Sequence, residues 1–240
     1  MSVAVVTGGG RGIGAAICAA LAKTGASVWV VDRDAEPAHV VAEAVGGRAV
    51  VLDVADAEQV LDVLGESNAA ILVNNAGYDE FSWFTDVQPE DWRRLLAVNL
   101  EGVFACTRAV LPAMQRAKYG RIVNVASEAG RLGSKGNAVY AATKGGVIAF
   151  GRSIARESAR FQITVNTVCP GPIETPLLDK VRALGDRGDA MVQAMIGATE
   201  LHRLGTPDEV AAAVAFLCSE SASYITGEVL GVSGGMGIGC

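Results

Sequence analysis

Histidine is almost missing from this sequence: only His39 and His202 occur in 240 residues. No Cys-x-x-Cys spacing accompanies them, so a zinc site of imidazole and thiolate is not expected. Positive charge is also scarce, with 20 Lys and Arg against 26 Asp and Glu. No basic patch or stripe stands out, which argues against a nucleic-acid partner. Runs of like charge are absent, and with them the mark of a disordered tail. No uninterrupted apolar run approaches the roughly 20 residues that span a bilayer, so no membrane partner is expected. The chain opens directly on an apolar stretch with no basic region before it, so no signal peptide is expected. Five cysteines, Cys18, Cys106, Cys169, Cys218 and Cys240, are odd in number and widely spaced. That pattern fits reduced thiols in a cytoplasmic protein. Cys169 closes a predicted strand and is read as a buried structural thiol.

What is abundant is apolar sequence in short pieces. Half the residues are hydrophobic, in runs such as Val3-Ala4-Val5-Val6 and Ile71-Leu72-Val73. Such runs are what strands buried on both faces of a parallel sheet look like. Strands are predicted near 3–7, 27–32, 48–52, 70–73, 121–126, 163–168 and 228–232. Helices are predicted near 12–24, 36–46, 56–66, 89–118, 138–160, 176–196 and 207–218. Strand–helix alternation predicts α/β architecture: one Rossmann-like domain over residues 1–240, a doubly wound parallel sheet with helices on both faces. The segment 176–204 breaks the rhythm. A long excursion after a strand's carboxyl end lies over the ligand crevice of such a sheet, so this segment is read as a substrate lid.

Two ends of the predicted crevice carry chemistry. After the first strand comes Thr7-Gly8-Gly9-Gly10-Arg11-Gly12-Ile13-Gly14, which then opens a helix. Glycines let a backbone turn tightly and approach a pyrophosphate, and the helix start offers unpaired N–H groups. The spacing Gly8, Gly12, Gly14 departs from Gly-x-Gly-x-x-Gly, so its place after strand one carries the reading. Asp32 closes the second strand, where a carboxylate accepts from ribose hydroxyls and repels a 2′-phosphate. Arg33 follows and pulls the other way; NAD is favoured over NADP. Asp53, with the adjacent backbone of Val54, is placed to meet the adenine edge. Asn74-Asn75-Ala76-Gly77 allows close approach to a cofactor or serves as turn chemistry.

At the other end, Tyr140 and Lys144 stand four apart and share one helix face. Reducing a ketone needs a proton donor at oxygen while hydride reaches carbon. A phenol donates, but its ordinary pKa of about 10 is high for cycling near neutrality. An ammonium one turn away, together with a positive nicotinamide ring, is expected to lower it. Ser127, after the fifth strand, is placed to hydrogen-bond the reacting oxygen.

With these pieces the sequence resembles the short-chain dehydrogenase/reductase family. The matching residues are Thr7-Gly8, Gly12-Ile13-Gly14, Asn74-Asn75-Ala76-Gly77, Asn99, Ser127, Tyr140-x-x-x-Lys144, Pro170-Gly171 and Thr175-Pro176, with Ile225-Thr226-Gly227-Glu228 and Gly234-Gly235 near the end. The resemblance implies Tyr140 as acid/base and Lys144 as its partner, also on the nicotinamide ribose. It implies Ser127 on the substrate oxygen and Asn99 holding a relay water. Cofactor contacts are implied at Gly8, Arg11, Gly12, Ile13, Gly14, Asp32, Arg33, Asp53, Val54, Asn75, Ala76, Gly77, Pro170, Gly171, Ile173 and Thr175. Asn137 joins Ser127 and Tyr140 at the substrate. A homotetramer, paired through the long helices near 89–118 and 138–160, is implied as well.

Within the family, Asn75-Ala76-Gly77-Tyr78-Asp79-Glu80-Phe81, residues 168–175 and residues 203–209 are similar to bacterial 2-hydroxycyclohexanecarbonyl-CoA dehydrogenases. Related strings occur in 3-oxoacyl carrier-protein reductases. Tyr78, Trp83 and Phe84 are candidates for an apolar pocket or for core packing. Arg131 and Lys135 are candidates to meet a CoA or carrier phosphate, or simply a solvated loop. Three functions are weighed: NAD-linked oxidation of a secondary alcohol such as a β-hydroxyacyl thioester, NADPH-linked ketone reduction, and a non-catalytic nucleotide sensor. A sensor is expected to lose the tyrosine–lysine pair, which this chain keeps.

Overall fold

The computed structural model describes residues 2–183 and 185–239. Cys240, and Leu184 within the predicted lid, lie outside the described residues. Seven strands form one parallel sheet: β1 (Val3–Thr7), β2 (Ser27–Asp32), β3 (Arg48–Val51), β4 (Ile71–Asn74), β5 (Gly120–Val125), β6 (Ile163–Pro170) and β7 (Val229–Val232). Their order is β3-β2-β1-β4-β5-β6-β7, so the chain reverses direction across the sheet between β1 and β4. That switch point opens the crevice in which ligands of open α/β sheets bind.

The short apolar runs fold this way because successive strand residues face opposite layers. Ala4 and Val6 enter one core with Ile71, Val73, Val123 and Val125. Val5 enters the other with Val31, Leu72 and Ile122. The first core is closed by α1 (Gly12–Lys23), α2 (Ala35–Val45) and α10 (Pro207–Leu217), through Ile17, Leu21, Ala38 and Val214. On the second side stand α3 (Ala57–Gly65), α5 (Gly102–Ala117) and α7 (Ala138–Ser158). Leu64, Val110, Met114 and Ala155 fill that face. All residues of β5 and β6 are buried, as a central parallel strand requires.

Three predicted helices are divided. The stretch near 89–118 is α4 (Pro89–Leu96), a π turn (Ala97–Glu101) and α5. Taken as one helix, Pro89–Ala117 is long and apolar enough to cross a membrane by length and composition, with 50% of that window buried in the fold. Its apolar runs are interrupted by Arg93, Arg94, Glu101, Arg108 and Arg116, so the expectation that no uninterrupted run approaches a membrane span stands. The stretch near 176–196 is α8 (Pro176–Arg182) and α9 (Asp186–Gly197), parted at Gly185 with φ +65°. The helix near 138–160 ends in a 3-10 turn, Ala159–Phe161. A short helix, α6 (Ala129–Leu132), was not predicted.

Candidate active site

At the nucleotide end the glycine turn is held in shape by contacts from β4. Thr7 Oγ1 accepts from the backbone N–H groups of both Asn75 and Ala76 at 3.0 Å. The Asn75 amide donates to Thr7 O and Gly8 O, also at 3.0 Å. Gly8 has φ +61°, and a Cβ there would stand 2.8 Å from Ala76 Cα. At Gly14 a Cβ would lie 2.0 Å from Gly8 O, so a side chain is sterically excluded where the turn feeds α1. Gly12 abuts Thr175, whose Cγ2 would lie 3.5 Å from a Cβ. Thr175 is the N-cap of α8, and Ile173 is fixed by a bridge to Gly205. The sheet thus brings together Gly8, Gly12, Gly14, Asn75, Ala76 and Thr175, which the sequence spreads over residues 8–175. The side-chain-free backbone at the α1 start fits a dinucleotide pyrophosphate.

Asp32 is tied into the same turn. Its Oδ2 accepts from Gly10 N at 2.9 Å and its Oδ1 from Asp34 N at 3.1 Å. The two nearby arginines lean on Asp34 instead, Arg11 at 2.7 Å and Arg33 at 3.9 Å. Asp53 is exposed and caps its own turn through Ala55 N, while Val54 is buried. Asn74 departs from the nucleotide reading. Its amide is buried and donates to Thr107 Oγ1 and Asn124 Oδ1, so it braces β4 against α5 and β5.

At the reactive end, Ser127 follows β5 and Tyr140 and Lys144 project from the first turns of α7. Ser127 Oγ accepts from Ala129 N at 3.1 Å, and the Ser127 hydroxyl favours the ionised form of the Tyr140 phenol. Lys144 Nζ donates to Val125 O at 3.0 Å and lies 5.7 Å from the Tyr140 ring centre. Gly77 lines the lysine: a Cβ there would come within 3.3 Å of Nζ and 3.0 Å of Asn99 Oδ1. Asn99 belongs to the π turn, a rare geometry found mostly at functional sites. Its side chain both accepts from Tyr78 N at 3.0 Å and donates to Tyr78 O at 2.9 Å. The Asn99 amide is therefore engaged with protein backbone, and its side chain clamps the segment after β4.

Burial opposes the fall expected of the phenol with Lys144 and a nicotinamide ring together. Desolvation pushes the Tyr140 phenol up to about 12, with the Asp79 carboxylate adding to the rise and the Ser127 hydroxyl opposing it. Burial also pulls Lys144 down to about 8. Protein groups alone thus hold the phenol protonated, because the cost of a buried anion exceeds what its neighbours return.

Asp79 is the site residue that sequence reasoning missed. Its carboxylate accepts a short hydrogen bond from the Asn137 amide, and burial raises it to about 6. Nothing periodic marks it; the only signal was a carboxylate two residues beyond Gly77. Other readings are corrected. Trp83 and Phe84 are exposed, at 53% and 59%, and neither lines the pocket nor enters the core. Phe81, itself partly exposed, lines a mixed polar and apolar cavity of about 220 Å³ with Glu80, Asp91, Leu95, Asn137 and Tyr140. Arg131 is engaged with the buried Glu128 at 3.0 Å. Cys169 is fully buried and pushed up to about 11 mainly by that burial, as expected of a structural thiol.

Comparison with known proteins agrees with this arrangement. A family profile described as enoyl-(acyl carrier protein) reductase, of the short-chain type, matches residues 8–237. The chain is 42% identical to the 3-oxoacyl-(acyl-carrier-protein) reductase of Escherichia coli, over 98% of this chain and 96% of that protein. It is 39% identical to the enzyme of the same name from Synechocystis, with the same coverage. Among solved structures, one titled ribose-5-phosphate isomerase, from Brucella melitensis, superimposes with TM-score 0.93 at 35% identity, covering 99% of this chain and 93% of that one. A shared fold with so different a title shows why the reaction must be argued from the site.

Proposed function

The chain belongs to the short-chain dehydrogenase/reductase family and is a nicotinamide-dependent oxidoreductase of alcohols and ketones; from that premise we propose that it interconverts β-ketoacyl and β-hydroxyacyl thioesters with NAD. The observation that carries the reading is the buried Lys144 ammonium 5.7 Å from the Tyr140 ring centre, in the same crevice as a glycine turn in which Gly8 and Gly14 leave no room for a Cβ. The relatives' names supply the thioester class. When bound, the cofactor supplies or accepts the hydride at the carbinol carbon. In reduction, Tyr140 gives its hydroxyl proton to the carbonyl oxygen as the C–O double bond opens. In oxidation, the phenolate takes that proton back and the C–O double bond closes. Ser127 holds the oxygen in place for both directions. Lys144, a cation one turn away, offsets negative charge on the phenolate oxygen and is placed for the nicotinamide ribose.

Gly8, Arg11, Gly12, Ile13, Gly14, Asn75, Ala76 and Gly77 are assigned to the dinucleotide, with Pro170, Gly171, Ile173 and Thr175 at its nicotinamide side. Asp53 and Val54 are assigned to its adenine side. Asp32 selects NAD because its carboxylate stands where a 2′-phosphate would be repelled. Arg11 and Arg33 favour a second reading, NADP, should they leave Asp34 for a phosphate. Initial rates with NADH and NADPH on one β-ketoacyl thioester decide between them. A preference for NADH supports the first reading, and a strong NADPH preference replaces it. Absence of turnover with either cofactor, on thioesters and simple ketones alike, removes the proposed function.

Three further assignments accompany this reading. Residues 176–204, hinged at Gly185, act as the substrate lid. Phe104 and Phe150, on α5 and α7, meet with ring centres 4.5 Å apart and planes tilted by 47°, and Phe104 is 39% exposed, which supports pairing of these helices in a homotetramer. The buried free thiols Cys18, Cys106, Cys169 and Cys218 support a cytoplasmic location.

A further inference from the structure

A carboxylate is an unusual neighbour for a phenol that must become an anion. Asp79 lies two residues beyond Gly77, the residue that lines Lys144 Nζ. Its position is fixed from two sides. The Asn99 amide clamps the preceding peptide at Tyr78 with two hydrogen bonds. The Asn137 amide, at the N-cap of the helix that carries Tyr140, donates to one carboxylate oxygen. The other oxygen, Oδ1, is buried and has no hydrogen-bond partner among the described residues, and the same is true of Asn137 Oδ1. A buried carboxylate left half-bonded is costly unless a cation lies near it. The cation that favours its charged form is Lys144, whose Nζ lies against Gly77 two residues before it. The Glu80 backbone N–H favours the carboxylate without forming a full hydrogen bond to Oδ1, so its charge is felt by the surrounding groups through a medium of low polarity.

We propose that Asp79 is a positioning residue of this site: clamped by Asn137 beside the tyrosine–lysine pair, its carboxylate steadies the Lys144 ammonium and opposes negative charge on the Tyr140 oxygen, setting the resting site to give a proton rather than to take one. The assignment rests on the roles proposed above for Tyr140 and Lys144. The groups that face this cluster are few. From α7 come Tyr140 and Lys144, from the loop itself Glu80, from β6 the Cys169 thiol, and from α4 Asp91, which lines the cavity beside Tyr140 and Asn137. Among charged neighbours Asp79 has the largest effect on Tyr140, and it acts on Lys144 in the direction of retained charge. Arg94, 5.9 Å from the Tyr78 ring, serves that ring instead. The consequence is a bias toward reduction near neutrality, where a protonated Tyr140 is the required form.

Two measurements on the full-length protein test this. The first does not depend on turnover. With isotope-labelled lysine, the chain's five lysines are few enough to resolve by NMR, and Lys144→Met identifies the Lys144 signal. Asp79→Asn is expected to lower the Lys144 titration midpoint by about one pH unit, and Asp79→Glu to restore most of it. The second is the pH profile of alcohol oxidation. Its rising limb is expected to move to lower pH in Asp79→Asn, because the phenolate forms more readily there. Should Asp79→Asn not fold, Asp79→Ser carries the same two measurements. An unmoved Lys144 midpoint, or an oxidation limb that stays in place or moves to higher pH, overturns the assignment. If no alcohol or ketone is turned over at all, the proposed function fails, and the lysine titration still decides the role of Asp79.

Discussion

The two ends of the crevice are built on different principles. The nucleotide end is made of backbone and shape: glycines without room for a Cβ, and polar side chains each engaged by a neighbour. The reactive end is made of charge: a phenol, an ammonium and a carboxyl group, all moved from their ordinary ionisation by burial. A shape-built end tolerates pH and fails by steric intrusion. A charge-built end tolerates small changes of shape and fails when one ionisable group is altered.

Substitutions can break this contrast, and their effects should fall in order. Tyr140→Phe removes the proton donor while keeping the ring, and turnover should fall ~10²–10⁴-fold with cofactor binding retained. Paired kinetics and cofactor titrations check this. Gly14→Val drives a side chain into Gly8 O and should distort the turn at a cost of about 1–3 kcal/mol, with cofactor affinity ~10–100-fold weaker. Its pH profile should remain that of the native protein, which sharpens the contrast. Asp32→Ser removes the charge that repels a 2′-phosphate. The NAD-to-NADP ratio of kcat/KM should shift toward NADP about tenfold, or about 1.4 kcal/mol. Leaving that ratio unchanged would place cofactor choice elsewhere.

The last predicted effect is on stability and not on turnover. The Asp79 carboxyl is raised to about 6 from 3.8. A carboxyl raised on folding costs stability above its folded pKa, and the cost disappears as pH falls through 6 to 4. Asp79→Asn should therefore stabilise the fold by about 1–3 kcal/mol near pH 7 and by nothing near pH 4. Denaturant melts at the two pH values measure it. A gain of equal size at both would trace to packing instead of charge.

The same contrast explains what could be read from the sequence. Val3–Thr7 and Ile71–Asn74 declare themselves as strands because both faces of each are apolar. Gly8, Gly12 and Gly14 were legible because a turn against a helix start needs glycine wherever a Cβ would strike backbone. The spacing of Tyr140 and Lys144 placed them on one helix face, and the roles expected of them came from the family resemblance. The direction of the phenol's shift was not legible, since it depends on how deeply three separate segments bury it. Asp79 was not legible either: its role arises only when the β4 loop folds against the start of α7. The π turn at Ala97–Glu101 and the break at Gly185 escaped for a local reason. Both interrupt stretches whose composition reads as continuous helix.

The central claim is that Tyr140 performs the proton transfer in a site set by charge. It is tested most directly by kcat/KM for oxidation of a β-hydroxyacyl thioester with NAD across pH, in the native protein and in Tyr140→Phe. The native profile should rise with pH in a single step as the phenolate forms, and the variant should lie flat and at least ~100-fold lower. A variant that keeps both the rate and the step would contradict it.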